Sequence, residues 1–241
     1  MKLPSIISLN IRGLVIKADR TKISQLQYLA NEQNALAIVI SESWLEESIV
    51  NSELSIENYT VYRADRRDRI RGGVCIFVKS NQSVSQILSF SNSVVECVIL
   101  KNDTMNCLIC GIYRPPGTKP HEWKQFLDIF SETVNLAQGH GKYQDIYLFG
   151  DMNFPNVDWD SINAGVKCDS NSVMSKQVND LVDIMSDHLL IQMVNQNIRG
   201  DNILDYVMTN NVRSISHNEI IVNSDLTDHN TVVTIMNITE Q

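Results

Sequence analysis

Asp145-Ile-Tyr-Leu-Phe-Gly-Asp-Met-Asn-Phe154 begins as an apolar run and breaks on Gly150-Asp-Met-Asn153. A short apolar run bounded by turn formers reads as a buried strand, so residues 145–150 are expected to form a strand running into Asp151. Before it, Glu122 to Ala137 places Trp123, Phe126, Phe130, Val134 and Ala137 on one helical face. After it, a second amphipathic helix over about 173–189 uses Val178, Leu181, Met185 and Leu189. Further out, 4–10, 36–42, 59–64, 73–79, 94–100 and 105–113 read as strands, with a helical stripe of Ile23, Leu26, Leu29 and Ala30 between the first two. Three more strand-like runs, 203–209, 214–222 and 231–238, close the chain. Strands in consecutive groups separated by a few helices point to an α/β fold of two stacked sheets flanked by helices, not to a strictly alternating parallel sheet. With no linker and no repeat, residues 1–241 read as one domain.

The composition narrows the class. At 43% hydrophobic and 20% charged, 241 residues can bury a large core. No apolar run approaches the roughly 18 residues needed to span a bilayer, and Lys2-Leu3-Pro4 leads into a strand-like segment and not a signal peptide. The sequence therefore predicts no membrane association. Five cysteines at irregular spacing do not suggest a disulfide framework. Cys107 and Cys110 lie three apart on an expected strand, hence on opposite faces, a poor arrangement for gripping one metal ion. Buried reduced thiols are the better reading and predict an intracellular protein. A net charge of −8 argues against holding DNA by bulk electrostatics alone. One run opposes it: Arg63 to Arg71 sets five arginines against two aspartates. That run reads equally as a solvated loop or as an edge that contacts phosphates.

Strands that stop at polar residues mark the candidate site at Asn10, Glu42, Tyr113-Arg-Pro-Pro116 and Asp151-Met-Asn153, while Asp205 lies inside the expected strand 203–209 and Asp228-His229 immediately precedes the last one. Singly, each is an ordinary turn former or cap. Asp151 and Asn153, two apart in extended backbone, would present side chains on one side. An acceptor and a neutral donor aimed at one point suit an attacking water beside a phosphate oxygen. Asp228-His229 adds an acid and an imidazole whose tautomer a further carboxylate could fix. His121, His140, His188 and His217 have no such company and read as structural.

This ordered set resembles the endonuclease/exonuclease/phosphatase superfamily. Several strings resemble the endonuclease domain of non-LTR (LINE-type) retrotransposons: Leu9-Asn-Ile-Arg-Gly13, Glu42-Ser-Trp-Leu45, Arg71-Gly-Gly-Val74, Ile112-Tyr-Arg-Pro-Pro116, Gly150-Asp-Met-Asn-Phe154 and Asp201-Asn-Ile-Leu-Asp-Tyr-Val-Met-Thr-Asn210. The resemblance implies a four-layer α/β/β/α sandwich of two mainly antiparallel sheets. It also implies an intracellular enzyme acting in the nucleus, which nicks one strand of a double-stranded DNA target. The 3′-hydroxyl left behind would prime reverse transcription by a polymerase region C-terminal to Gln241. Glu42 is expected to bind Mg²⁺ or Mn²⁺ with Asn10 adjacent, Asp151 to orient or deprotonate water, and Asn153 to donate to that water or a phosphate oxygen. His229, held by Asp205, would bind the phosphate, Tyr113 would add a hydroxyl, and Asp228 would be a metal ligand or positioning group. Arg12, Arg114, Arg199 and Arg213 are the expected DNA contacts; Arg213 sits in Asn210–Ser214, a groove-probing turn or a plain hairpin.

Departures accompany these matches. Arg12 stands where repair nucleases carry an acid, which favours the retrotransposon reading; Thr227 replaces the serine that usually precedes Asp-His; and Asn197-Ile-Arg199 stands where the family often has Thr-Arg. The rivals are an apurinic-site repair nuclease, a phosphatase of the same superfamily, and a non-catalytic descendant that binds DNA or protein. The last is disfavoured because every expected polar residue is present.

Overall fold

The computed structural model describes residues 2–15, 19–67, 71–117, 119–139, 145–169, 172–222 and 225–237. His140, residues 68–70 of the arginine run and position 238 of the last apolar run lie outside them.

In chain order the elements are β1 (Ser5–Asn10), α1 (Thr21–Glu32), β2 (Ala35–Ser41), β3 (Tyr59–Ala64), β4 (Val74–Lys79), β5 (Val84–Ser91), β6 (Glu96–Asn102) and β7 (Cys107–Tyr113). Then come α2 (Pro120–Gly139), β8 (Asp145–Asp151), α3 (Trp159–Asn163), α4 (Val173–Asp187), β9 (Ile191–Gln192), β10 (Asp205–Thr209), β11 (Ile215–Ile221) and β12 (Thr231–Met236). They build two six-stranded sheets, ordered β11-β12-β1-β2-β4-β3 and β5-β6-β7-β8-β10-β9. Among the described residues only β1–β2 and β7–β8 pair in parallel, each joined through a helix, as parallel neighbours require.

Central strands read as unbroken apolar runs because both of their faces are covered. Ala37 and Val39 of β2, Val98 and Leu100 of β6, and Tyr147 and Phe149 of β8 point into the layer between the sheets. Their neighbours Ile38 and Ile40 pack under Ile23, Leu26 and Ala30 of α1. On the other side, Ile99, Ile146 and Leu148 pack under Phe126 and Phe130 of α2 and Leu181 of α4. The result is the expected helix–sheet–sheet–helix sandwich. Cys107 lies between the sheets and Cys110 beneath the helices. Burial raises both thiols, that of Cys110 to about 12. No helix among the described residues is long and apolar enough to cross a membrane.

Two elements differ from the sequence reading. Val84–Ser91 is a full strand at a sheet edge, although its half-exposed, serine-rich pattern carries little apolar signal. The turn 210–214 is not a hairpin: β10 and β11 belong to different sheets, and the connection makes a short three-ten turn at Val212–Ser214.

Candidate active site

The polar strand ends meet on one rim. β7, β8 and β10 align Tyr113 with Asp151 and Asp151 with Asp205, while β1 and β2 align Asn10 with Ser41. The sheets touch here through side chains. Fully buried Asn10 uses its amide to donate to Asp151 Oδ2 at 2.8 Å and to Glu42 Oε1 at 2.9 Å. One neutral donor thus ties two carboxylates from opposite sheets, and the Asp151 backbone N–H reaches the Ser41 hydroxyl at 3.3 Å.

Across the floor, His229 Nδ1 lies 2.7 Å from Asp205 Oδ2, with both residues buried. Burial works against the imidazolium, but the Asp205 hydrogen bond and the charges of Asp205, Asp151 and Asp228 outweigh it, and the pKa of His229 is raised. Asp205 Oδ1 is buried without a hydrogen-bond partner. Asp151 is raised to about 7, by burial first and then by the neighbouring Asp205 charge.

Glu42 follows β2 with φ 51, and Trp44 has φ 52, so two non-glycine residues sit in the left-handed region within one short loop. The loop is clasped on both sides. Gly13 and Leu14 donate to the carbonyls of Glu42 and Ser43, while Ser43 and Trp44 donate to those of Gly73 and Gly72. The Glu42 carboxylate receives the Tyr113 hydroxyl and the Trp44 indole N–H, each at 3.1 Å, besides Asn10. Trp44 joins the site although the polar-residue pattern does not single it out; its position two residues after Glu42 is the one signal for it. Arg71 covers its ring at 5.2 Å.

A sequence model of the endonuclease/exonuclease/phosphatase family, described as endonuclease-reverse transcriptase, matches residues 107–233, more than half of the chain. The chain belongs to the endonuclease/exonuclease/phosphatase family. No curated protein matches it in sequence. Among solved structures, a 3′ phosphatase from Neisseria bound to a product DNA hairpin is similar at TM-score 0.70 and 14% identity, over 97% of this chain and 99% of that one. The endonuclease domain of TRAS1, a telomere-specific non-LTR retrotransposon, matches at TM-score 0.67 and 14% identity, over 96% and 97%. The APE2 catalytic domain from Xenopus laevis matches at TM-score 0.65 and 15% identity, over 96% and 91%. At these identities the likeness is one of fold.

Membership makes the protein a hydrolytic nuclease or phosphatase of a divalent-metal-dependent family, and the floor fits a cation. Ligand atoms of Asp151, Asp205 and His229 lie within 4.8 Å of one another. The unpartnered Asp205 oxygen and the raised Asp151 show more negative charge than the local donors satisfy. An imidazole shifted toward its protonated form is a poor ligand, whereas the half-buried Glu42 carboxylate, which accepts from the neutral donors Asn10, Trp44 and Tyr113, keeps the charge to hold a cation.

Several sequence-derived placements change within this family site. Asn153 is not in extended backbone: β8 ends at Asp151 and Asn153 has φ 51. Its N–H caps Asp151 Oδ1 at 2.8 Å, and its side-chain amide donates to the Arg114 carbonyl at 2.8 Å. Asp228 stands off the carboxylate floor, half-exposed, between Arg12 at 2.9 Å and Arg199 at 2.8 Å. Burial would raise its pKa, but the two arginines and His229 together lower it. Arg12 and Arg199 therefore sit at the site's margin, sharing one carboxylate. Arg114 is a buried strut, not a surface contact. It donates to the carbonyls of Met152 at 2.6 Å and Asn153 at 2.8 Å, and its guanidinium stacks 3.9 Å from the centre of Phe154.

Arg213 is at the wrong end of the sandwich. β10 runs from Asp205 at the site to Thr209, and Asn211 bonds Asp145 at the start of β8. Asp145 and Asp151 are the two ends of a seven-residue strand, so about 20 Å apart at ~3.3 Å per residue step. Within the arginine run, Arg67 and Arg71 are exposed, whereas Arg63 and Arg66 are engaged by the protein itself. Arg63 is spent on Asp65, on the carbonyls of Glu46 and Ile49, and on Asn51, and Arg66 contacts Glu96.

Proposed function

We propose that this family member is a divalent-metal-dependent DNA endonuclease that hydrolyses one strand and leaves a 3′-hydroxyl, as the nicking domain of a non-LTR retrotransposon. The observation that carries the reading is Asn10 tying Glu42 to Asp151 while Asp205 orients His229 across the same floor. A cation holder, a base for water and a donor for a phosphate oxygen are thereby assembled together. A cation held by Glu42 with Asn10 adjacent, Mg²⁺ or Mn²⁺, would supply charge neutralisation at the phosphate.

The remaining work falls to the chain's own groups. Asp151, raised to about 7, takes a proton from the attacking water. The water oxygen bonds to phosphorus, the bond from phosphorus to O3′ breaks, and O3′ leaves as the hydroxyl with a solvent proton. His229, kept protonated by Asp205, donates from Nε2 to a non-bridging oxygen. Tyr113 acts on Glu42, to which its hydroxyl is bonded. Arg12 and Arg199 are placed to meet phosphates of a double-stranded DNA target flanking the nick.

The retrotransposon setting is supported by the Tyr113-Arg-Pro-Pro116 and Asp201-Asn-Ile-Leu-Asp205 strings, by Arg12, and by the shared fold of the TRAS1 endonuclease. In that setting the 3′-hydroxyl primes reverse transcription by a polymerase region of the same polyprotein, and the site of action is the nucleus.

Comparing intact supercoiled plasmid, an abasic duplex and an inositol phosphate tests the substrate. Nicking of intact DNA in Mg²⁺, with ends that a polymerase extends, is expected, and excess EDTA is expected to abolish it. Preferential cleavage of the abasic duplex, or turnover of the inositol phosphate, would overturn the assignment.

The pH profile follows from the same groups. Asp151 must be ionised, so the rate is expected to fall as pH drops through about 7. His229 must stay protonated, so the rate is lost as pH rises through its raised pKa. Asp205→Asn removes the charge that raises His229 and is expected to move the alkaline limb to lower pH. An unmoved limb would take His229 out of the mechanism.

A further inference from the structure

Behind Glu42 the structure buries an ion pair that the chemistry above does not use. Arg66 and Glu96 are in direct contact, with side chains 5% and 0% exposed. Taking two charges out of water carries a penalty that their attraction need not recover, so such a pair is weak evidence for stability. What it holds in place is therefore the better question. The other Glu96 oxygen accepts the backbone N–H of Gly73 at 2.6 Å. The Arg66 guanidinium lies 5.7 Å from the centre of the Tyr113 ring.

Both contacts lead to the Glu42 carboxylate. Along one route, the Gly72 and Gly73 carbonyls accept from the N–H groups of Trp44 at 2.8 Å and Ser43 at 3.1 Å, and the Trp44 indole reaches Glu42 Oε2. Along the other, the Tyr113 hydroxyl reaches Glu42 Oε1.

The turn is fitted to the pair and the loop together. Gly72 and Gly73 have φ +83 and +87. A Cβ on Gly72 would come within 2.6 Å of the Arg66 guanidinium carbon and 2.7 Å of Glu96 Oε1, and one on Gly73 within 2.5 Å of the Ser43 hydroxyl. Left-handed backbone at Glu42 and Trp44 persists only if its surroundings hold it. An apolar pair of the same volume would leave the Gly73 N–H without its acceptor.

We propose that the buried Arg66–Glu96 pair is a positioning element for Glu42 and sets the divalent-cation affinity of the site without touching the ion or the DNA. The inference rests on the metal reading above. Its action is that of an outer-shell group, which fixes a ligand's orientation and whose loss typically costs about 10–100-fold in metal affinity.

The test is Mn²⁺ binding by calorimetry on the DNA-free protein, for the wild type, Glu96→Gln, Arg66→Lys and the distant core variant Val134→Ala. Glu96→Gln keeps an acceptor near Gly73 and removes the charge that holds Arg66. Arg66→Lys keeps the buried charge balance and removes the guanidinium fork, so it serves if the first variant does not fold. Both are expected to weaken Mn²⁺ binding by about tenfold or more and to speed hydrogen exchange at the Gly73 and Trp44 amides. Val134→Ala is expected to lose thermal stability while binding Mn²⁺ like the wild type. Wild-type affinity in a folded Glu96→Gln or Arg66→Lys overturns the positioning role alone. A wild-type protein that binds no Mn²⁺ overturns the metal reading, and this inference with it.

Discussion

Replacing Asp151 by asparagine is expected to lower nicking of supercoiled plasmid by at least about a hundredfold, within the range typical for loss of a general base. The asparagine has nearly the shape of the carboxylate and retains an oxygen for the Asn153 N–H. It cannot take a proton from water. The same change should leave a mark on stability. A carboxyl raised from 3.8 to about 7 binds its proton more tightly in the folded than in the unfolded chain. Its presence therefore costs stability progressively as pH rises between those values and holds the cost constant above them. Asp151→Asn is expected to be nearly inactive yet to lose less thermal stability than the wild type between pH 5 and pH 8. Plasmid nicking at the wild-type rate would remove Asp151 from the chemistry.

Gly150→Ala is expected to yield no stably folded protein. Gly150 has φ +145, and its register partner across the parallel β7–β8 pair is Ile112. A Cβ there would fall inside the Ile112 backbone carbonyl, which is fixed in the sheet and has no side-chain freedom with which to yield. Overpacking of this kind costs typically about 1–3 kcal/mol, and the disfavoured backbone about 1–3 more. That sum, about 2–6 kcal/mol, is already a large part of a total stability of about 5–15 kcal/mol, and a Cβ 1.7 Å from a fixed backbone oxygen is a harsher clash than ordinary overpacking. If β8 moved aside to make room, Asp151 would leave its register with Tyr113, so any folded fraction should also be inactive. Soluble Gly150→Ala with a wild-type melting temperature would show that the strand pair has slack the structure does not suggest.

Much of this was legible in the sequence. Strands in consecutive groups between a few helices point to two stacked sheets flanked by helices, and the four-layer order is what the family resemblance implies. Asn10, Glu42 and Tyr113 stand out as polar stops on such strands, Asp205 as an acid inside one and His229 just ahead of the last, and all five reach the rim. What escaped depends on conformation and reach. Asn153 reads as extended because periodicity cannot reveal a left-handed residue just past a strand end. Arg114 looked like a surface cation, yet three aromatic rings and two carbonyls make a buried place for it. Arg213 reads as a DNA contact because a strand–turn–strand pattern does not show that its strands enter different sheets. Arg66 and Glu96 were invisible as a pair, since nothing in either segment names the other.

The seam between the sheets sets when the enzyme can first work. Asn10, Glu42 and His229 come from the sheet of β1–β4, β11 and β12, whereas Tyr113, Asp151 and Asp205 come from the sheet of β5–β10. The second sheet is a single continuous stretch of chain inserted into the first. β1 cannot gain its β12 neighbour until residues near 236 have emerged from the ribosome. Activity is therefore expected only late in synthesis, when the last strand docks and brings His229 to Asp205. A chain severed between β4 and β5 would leave two fragments, each carrying part of the floor, and DNA cleavage would report their reunion.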